Sequence, residues 1–75
     1  MAVFSYETYL IVNAAQRLMR LTQKEERIYK TEAYRRCGQG LTAAQFDGVV
    51  QALVSEGWCT CDEGVRGAPV LTYIH

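Results

Sequence analysis

The stretch from Thr42 to Cys61, TAAQFDGVVQALVSEGWCTC, restricts the fold of this chain more than any other. Four of its apolar residues follow the i, i+3, i+4, i+7 spacing that places side chains on one face of an α-helix. They are Phe46, Val49, Val50 and Leu53. The sequence therefore predicts an amphipathic helix in which these four side chains face the core.

Local signals specify both ends of this helix. Thr42 is a suitable N-cap, and Gln45 follows it by three residues, which is the spacing of a capping box. Gly57 lies where many helices end on a residue in the left-handed conformation. We therefore expect the helix to begin within two residues of Thr42 and to end by Gly57.

The residues after Gly57 predict a β-hairpin. Residues 58–61, WCTC, form a short first strand, residues 62–67 a turn, and residues 70–74, VLTYI, a β-branched and aromatic return strand. Residues 28–30, IYK, are too few for an independent strand but could add an edge strand to this hairpin.

A first helix is predicted near the N-terminus, with Ser5 as its N-cap and an end at about Arg20 or a few residues beyond. Its core face carries Leu10, Ala14, Leu18 and Leu21. The charged segment at 22–27, TQKEER, leaves two alternatives open. It either extends the first helix through a new capping box at Thr22 and Glu25, or forms a connecting loop.

A short second helix is predicted after Thr31, which is a suitable N-cap. This helix must stop at residues 37–40, CGQG, where two glycines can supply the positive φ angles of a tight turn. The predicted order is then helix, short strand, short helix, turn, long helix and hairpin.

The first helix carries a second apolar stripe, formed by Val12, Ala15 and Met19. One interpretation encloses this helix inside a small core. The other uses the stripe as a contact between two copies of the chain, because a small domain often lacks enough chain to cover both faces of a helix.

Length and composition limit the class of protein. Seventy-five residues indicate one domain, residues 1–75, and such a domain buries only about 60% of its unfolded surface. Eight Lys plus Arg balance eight Asp plus Glu, so any attraction to phosphate must be local. No apolar run is long enough to span a bilayer, and three cysteines suit a reducing compartment. We therefore expect a cytoplasmic protein that does not contact membranes.

A short helix, a tight turn and an amphipathic helix form a helix-turn-helix, and a hairpin after them adds a wing. Over residues 28–74 the chain thus resembles the winged-helix superfamily. The resemblance lies in TEAYRRCGQGLTAAQF, VVQALVSEGW and CDEGVRGAP. A looser similarity, to winged-helix modules that end plasmid and phage replication proteins, rests on IYKTEAYRR before LTAAQF. The expected fold is α+β and mainly helical, a three-helix winged helix-turn-helix with a C-terminal hairpin wing.

The resemblance implies binding to double-stranded DNA, in transcriptional regulation or in replication control of a phage or mobile element. In the superfamily the long helix enters the major groove and the wing tip contacts the minor groove or the backbone. The positions expected to contact DNA are Arg35, Arg36, Gln39, Thr42, Gln45, Gln51 and Arg66. The exposed positions of the long helix include no Lys or Arg, and Asp47 and Glu56 repel phosphate.

The alternative is a protein–protein interaction module that does not bind DNA. Ala44, Gly48 and Ala52 are spaced four residues apart, which gives one face of the long helix a strip of small residues. Such a strip lets another backbone approach closely, and it offers shape without charge. This small-residue strip and the second stripe of the first helix form the expected protein interface.

Catalytic signals are absent from the sequence. There is one His, no GxSxG, no HExxH and no phosphate-binding glycine loop before a lysine, so we expect no enzymatic activity and no cofactor. Cys59 and Cys61 would project from the same face of a strand, and Cys37 with His75 could complete four metal ligands. Small buried thiols are the commoner arrangement, so we expect no metal site.

Overall fold

The computed structural model describes residues 5–75, which form three α-helices and a three-stranded antiparallel sheet. The elements in chain order are α1 (Tyr6–Glu25), β1 (Arg27–Tyr29), α2 (Lys30–Cys37), α3 (Ala43–Ser55), β2 (Cys59–Glu63) and β3 (Pro69–Tyr73). The predicted fold class, α+β and mainly helical, is confirmed. The arrangement is compatible with a winged-helix layout. No helix within residues 5–75 combines the length and apolar character needed to cross a membrane.

The sheet has the strand order β1-β3-β2, with β3 in the centre. Leu71 of β3 lies opposite Ile28 of β1 on one side and Cys61 of β2 on the other. The side chain of Leu71 is fully buried, which anchors the sheet to the helices. Strand β1 is an edge strand of the C-terminal hairpin, as predicted, but it begins at Arg27, and Lys30 belongs to α2.

Helix α3 forms where the sequence predicts it. The Thr42 hydroxyl accepts a hydrogen bond from the Gln45 backbone N–H at 3.1 Å, and the Gln45 side chain accepts one from the Thr42 N–H at 2.9 Å. Gly57 has a φ of 78°, the left-handed conformation that the helix end requires. The four predicted core residues of α3 are all buried: Phe46, Val49, Val50 and Leu53.

Helix α1 begins at the predicted N-cap, because the Ser5 side chain accepts a hydrogen bond from the Thr8 N–H. It then continues without interruption to Glu25, so the charged segment extends the helix. A new capping box at Thr22 does not form. Thr22 is fully buried, and its hydroxyl donates back to the backbone carbonyls of Leu18 and Met19, at 2.9 and 3.0 Å.

The prediction that Thr31 caps α2 is wrong. Helix α2 begins at Lys30, and the N-cap is Tyr29, whose side chain makes no capping hydrogen bond. Because Tyr29 is the last residue of β1 and pairs with Val70, it already has the extended backbone of an N-cap. Strand pairing therefore fixes the start of α2 before the chain reaches Thr31.

The turn between α2 and α3 needs its two glycines for different reasons. Gly40 has a φ of 84°, as predicted, whereas Gly38 has a φ of −96°, so the prediction of a positive φ there is wrong. A Cβ at Gly38 would instead collide with the Tyr34 ring and lie 2.8 Å from the Tyr34 carbonyl oxygen. Gly38 is thus required for space, because Tyr34 packs against the turn and donates a hydrogen bond to the Leu41 carbonyl.

The hairpin strands are shifted toward the turn relative to the prediction, because β2 begins at Cys59 and not at Trp58, and β3 ends at Tyr73 and not at Ile74. Asp62 and Glu63 pair with Val70 and Pro69, which leaves residues 64–68 as the connection. That connection contains a single turn of 3-10 helix at Val65–Gly67. We call the connection, residues 64–68, the wing tip.

Candidate functional site

The solvent face of α3 carries no charge. Ala44, Gly48, Gln51, Ala52 and Ser55 are all exposed on it. Of these five residues, only Gln51 has a side-chain amide, the group that could read a base edge.

Gln45 is held by hydrogen bonds within the chain. Its amide oxygen accepts from the Thr42 N–H, and its amide nitrogen donates to the Glu7 carboxylate at 2.8 Å. Thr42 uses its hydroxyl for the same cap. Both residues thus fix the start of α3 and its contact with α1. A base contact by Gln45 would require its bond to Glu7 to break.

Asp47 is neutralised by an ion pair with Lys30. This pair joins α3 to the first turn of α2, and the Lys30 side chain is mostly buried. The sequence predicts that Asp47 repels phosphate. The ion pair with Lys30 weakens this repulsion, because the two opposite charges partly cancel.

The arginines at the end of α2 are also paired. Arg35 donates two hydrogen bonds to Glu32, at 3.0 Å from Nε and 2.6 Å from Nη2. The hydrogen bond from Arg35 lowers the pKa of the Glu32 carboxyl and raises the pKa of Arg35. Arg36 lies 3.6 Å from a carboxylate oxygen of Glu25 on α1. Since both pairs are solvent-exposed, the guanidinium groups can exchange these partners for phosphates.

Arg66 occupies the wing tip with its side chain in solvent. Its φ of 61° is left-handed, and the neighbouring Gly67 has a φ of 75°. Within residues 5–75, Arg66 makes no salt bridge. Gln39 is exposed in the turn between α2 and α3. The predicted DNA contacts are therefore spread over the α2 end, the turn, the α3 face and the wing tip.

A cluster of cations between α1 and α2 was missed in the sequence. Arg17, Arg20 and Lys24 of α1 and Arg36 of α2 line one shallow depression, together with Leu21 and Cys37. We call the four cations the α1–α2 basic cluster. The sequence carries a signal for this cluster, because residues 17, 20 and 24 have the i, i+3, i+7 spacing of one helix face. Of the four cations, the predicted DNA contacts include only Arg36.

An apolar groove runs between α1 and α3. Ile11 and Ala15 form its α1 side, and Gly48, Val49, Ala52 and Leu53 form its α3 side, with Gln45 at the edge. We call it the α1–α3 groove. It brings together three residues of the predicted protein interface, Ala15, Gly48 and Ala52. Ala44 does not line it.

The other two members of the predicted interface lie apart from the groove lining. Val12 is 45% exposed, whereas Met19 is half-buried and packs against the core. The second stripe of α1 is therefore partly enclosed and partly open to solvent.

The three cysteines are free thiols. Burial raises the pKa of Cys37 and of Cys59, and the Arg17 and Arg36 charges partly offset this rise at Cys37. In residues 5–75, no three His, Cys, Asp or Glu side chains are placed to hold a metal ion.

The chain matches no protein-family model, and comparison with curated proteins gives no significant match.

Proposed function

We propose that this protein is a winged-helix DNA-binding protein that acts in transcriptional regulation or in replication control of a phage or mobile element. The observation that carries the proposal is the wing tip, where an exposed arginine follows a helix-turn-helix in chain order. The sheet order β1-β3-β2 is compatible with this layout. In proteins with a winged-helix layout, the wing tip is a site of backbone or minor-groove contact.

Charge and polarity divide the contacts into two kinds. Arg35, Arg36 and Arg66 bind phosphates, which position the protein without reading sequence. Gln39, exposed in the turn, adds a neutral donor. Gln51 reads a base edge in this proposal, which its exposed side chain supports, because a glutamine amide can bond adenine at two atoms.

Salt-dependent binding tests the proposal. Fluorescence anisotropy with a short mixed-sequence duplex should show binding by the wild type at low salt. Replacing all three arginines, R35Q/R36Q/R66Q, should lower the slope of log affinity against log salt by about 0.9 for each lost contact. Equal slopes for the triple variant and the wild type would refute the phosphate contacts.

A separate substitution tests base reading. Gln51→Ala should leave the salt slope unchanged and reduce discrimination at one base pair by about 1–3 kcal/mol. The matched control is Gln23→Ala, which removes an exposed amide from α1. Discrimination that is unaffected by Gln51→Ala would mean that α3 reads no base through this residue.

The α1–α3 groove favours a second candidate function, a protein–protein interaction module that does not bind DNA. The groove is lined almost entirely by apolar groups, and small residues at Gly48 and Ala52 leave room for a partner helix. Helix α1 also carries two exposed apolar side chains outside the groove lining, Tyr9 and Val12. In this candidate the partner is an apolar helix face, either of another protein or of a second copy.

Gly48 allows a clean test of the second candidate. A Cβ at Gly48 would meet no atom within 4 Å, so a side chain at this position begins in open space. Gly48→Leu should fill the groove and abolish binding to the partner without unfolding the protein. Gly48→Ala should retain most of the binding. A Gly48→Leu variant with full binding would remove this candidate.

A further inference from the structure

The α1–α2 basic cluster contains half of the positive charge of the chain. Four of its eight Lys and Arg residues lie around one depression, although the formal net charge of the whole chain is zero. Charge is therefore segregated on the surface. A neutral chain with a concentrated basic region attracts polyanions most strongly there.

Three members of the cluster have no ion-pair partner within residues 5–75. They are Arg17, Arg20 and Lys24, and all three are exposed. The fourth, Arg36, lies 3.6 Å from a carboxylate oxygen of Glu25. By contrast, Arg35 and Lys30, on α2 outside the cluster, are held in ion pairs by Glu32 and Asp47. The free positive charge on the helices is thus concentrated on α1.

The spacing of the α1 cations suits a nucleic-acid backbone. Residues 17 and 24 are seven positions apart, which corresponds to roughly 10 Å along an α-helix. Each strand of duplex DNA carries one charge per about 3.4 Å of helix axis, so this length matches the axial rise of about three phosphates of one strand. Arginine also binds phosphate through a planar fork of donors, which favours it over a point charge.

We propose that the α1–α2 basic cluster binds the phosphates of duplex DNA and supplies the main electrostatic part of the affinity. This inference rests on the proposed DNA-binding function and extends it. DNA then lies against α1 and the end of α2. The exposed face of α3 is uncharged, which differs from the pattern of the winged-helix superfamily. The phosphate-binding residues on α1 account for this difference.

Single neutral substitutions in the cluster test the proposal. Arg17→Gln, Arg20→Gln and Lys24→Gln should each lower the slope of log affinity against log salt by about 0.9 for the mixed-sequence duplex. Together, R17Q/R20Q/K24Q should lower it by about 2.7 and largely abolish binding at moderate salt. Circular dichroism and thermal unfolding should match the wild type, because all three side chains are exposed.

Arg27→Gln is the matched control. Arg27 is exposed on β1, lies outside the cluster and makes no salt bridge within residues 5–75, so the substitution removes the same charge from another surface. It should leave the salt slope unchanged, and Arg20→Lys, which keeps the charge, should do the same. If Arg27→Gln lowers the slope as much as Arg20→Gln does, net charge explains the effect and the cluster proposal fails.

The two proposals fail in different ways. If the wild type binds DNA and Arg66→Gln lowers the slope while R17Q/R20Q/K24Q does not, the cluster proposal is overturned and the proposed function stands. If the wild type does not bind the duplex at low salt, both are overturned. A reduced slope in the cluster variants, with unchanged folding, supports the cluster.

Discussion

The indole N–H of Trp58 donates a hydrogen bond to the hydroxyl of Thr22, with 3.1 Å between Nε1 and Oγ1. The same hydroxyl donates to a backbone carbonyl one turn back in α1. This bond ties the last turns of α1 to the entrance of the hairpin, across 36 positions of sequence. It explains why a threonine is fully buried in a helix that is otherwise exposed at this end.

Thr22→Val should lower the free energy of unfolding by about 1–2 kcal/mol, because it leaves the partly buried indole N–H without an acceptor. Valine has nearly the same shape, so the loss is polar and not steric. Chemical denaturation followed by far-UV circular dichroism measures the free energy of unfolding. In a Trp58→Phe background, Thr22→Val should lower the free energy of unfolding by less, because phenylalanine has no N–H that needs an acceptor. Equal costs in the two backgrounds would show that the bond contributes nothing.

Two glycine substitutions should change stability in opposite directions. Gly38→Ala should destabilise the protein by about 1–3 kcal/mol, since the added methyl group collides with Tyr34. Gly48→Ala should stabilise it by about 0.5–1 kcal/mol, because it removes a glycine from the middle of α3 in open space. Thermal unfolding of the two variants and of the wild type measures both changes. A stabilised Gly38→Ala variant together with a destabilised Gly48→Ala variant would contradict this account.

The buried thiols should resist alkylation. Burial raises the pKa of Cys37 and Cys59, so less thiolate is present at neutral pH, and both side chains are shielded. Iodoacetamide followed by mass spectrometry should modify Cys61 first and the other two only after unfolding. Because the unfolded thiols ionise at lower pH, stability should decrease as the pH rises above the usual thiol pKa. Rapid native labelling of Cys59 would contradict the burial.

A dimer through α1 would depend on Val12, the exposed member of the second stripe. We expect the wild type to sediment as a dimer at high concentration and Val12→Glu to sediment as a monomer, because a charge in an apolar contact is costly. Asn13→Glu, on the neighbouring position of α1, is the matched control and should leave the dimer intact. A wild-type monomer at high concentration would exclude this contact.

Local signals in the sequence were sufficient for the elements whose boundaries depend on adjacent residues. The Thr42 and Gln45 cap and the positive φ of Gly57 are such cases, and α3 formed as predicted. The start of α2 could not be predicted in this way, since it depends on the pairing of Tyr29 with Val70. The role of Thr22 likewise depends on a tryptophan 36 positions away.

The candidate site was predicted in its parts but not in its assembly. The exposed positions of α3 and the wing arginine are visible in the sequence. Ion pairing is not, because the contact of Lys30 with Asp47 joins residues on two helices. The joining of Ala15 to Gly48 in one groove, and of Arg17 to Arg36 in one cluster, depends on how α1 packs against α3 and α2.

The most direct test of the proposed function is the affinity of the wild-type protein for a short mixed-sequence DNA duplex, measured by anisotropy over a series of salt concentrations. We predict binding at low salt and a linear fall of log affinity with log salt, with a slope that reflects several phosphate contacts. Absence of binding at the lowest salt, or an affinity that does not change with salt, would contradict the assignment of DNA as the partner.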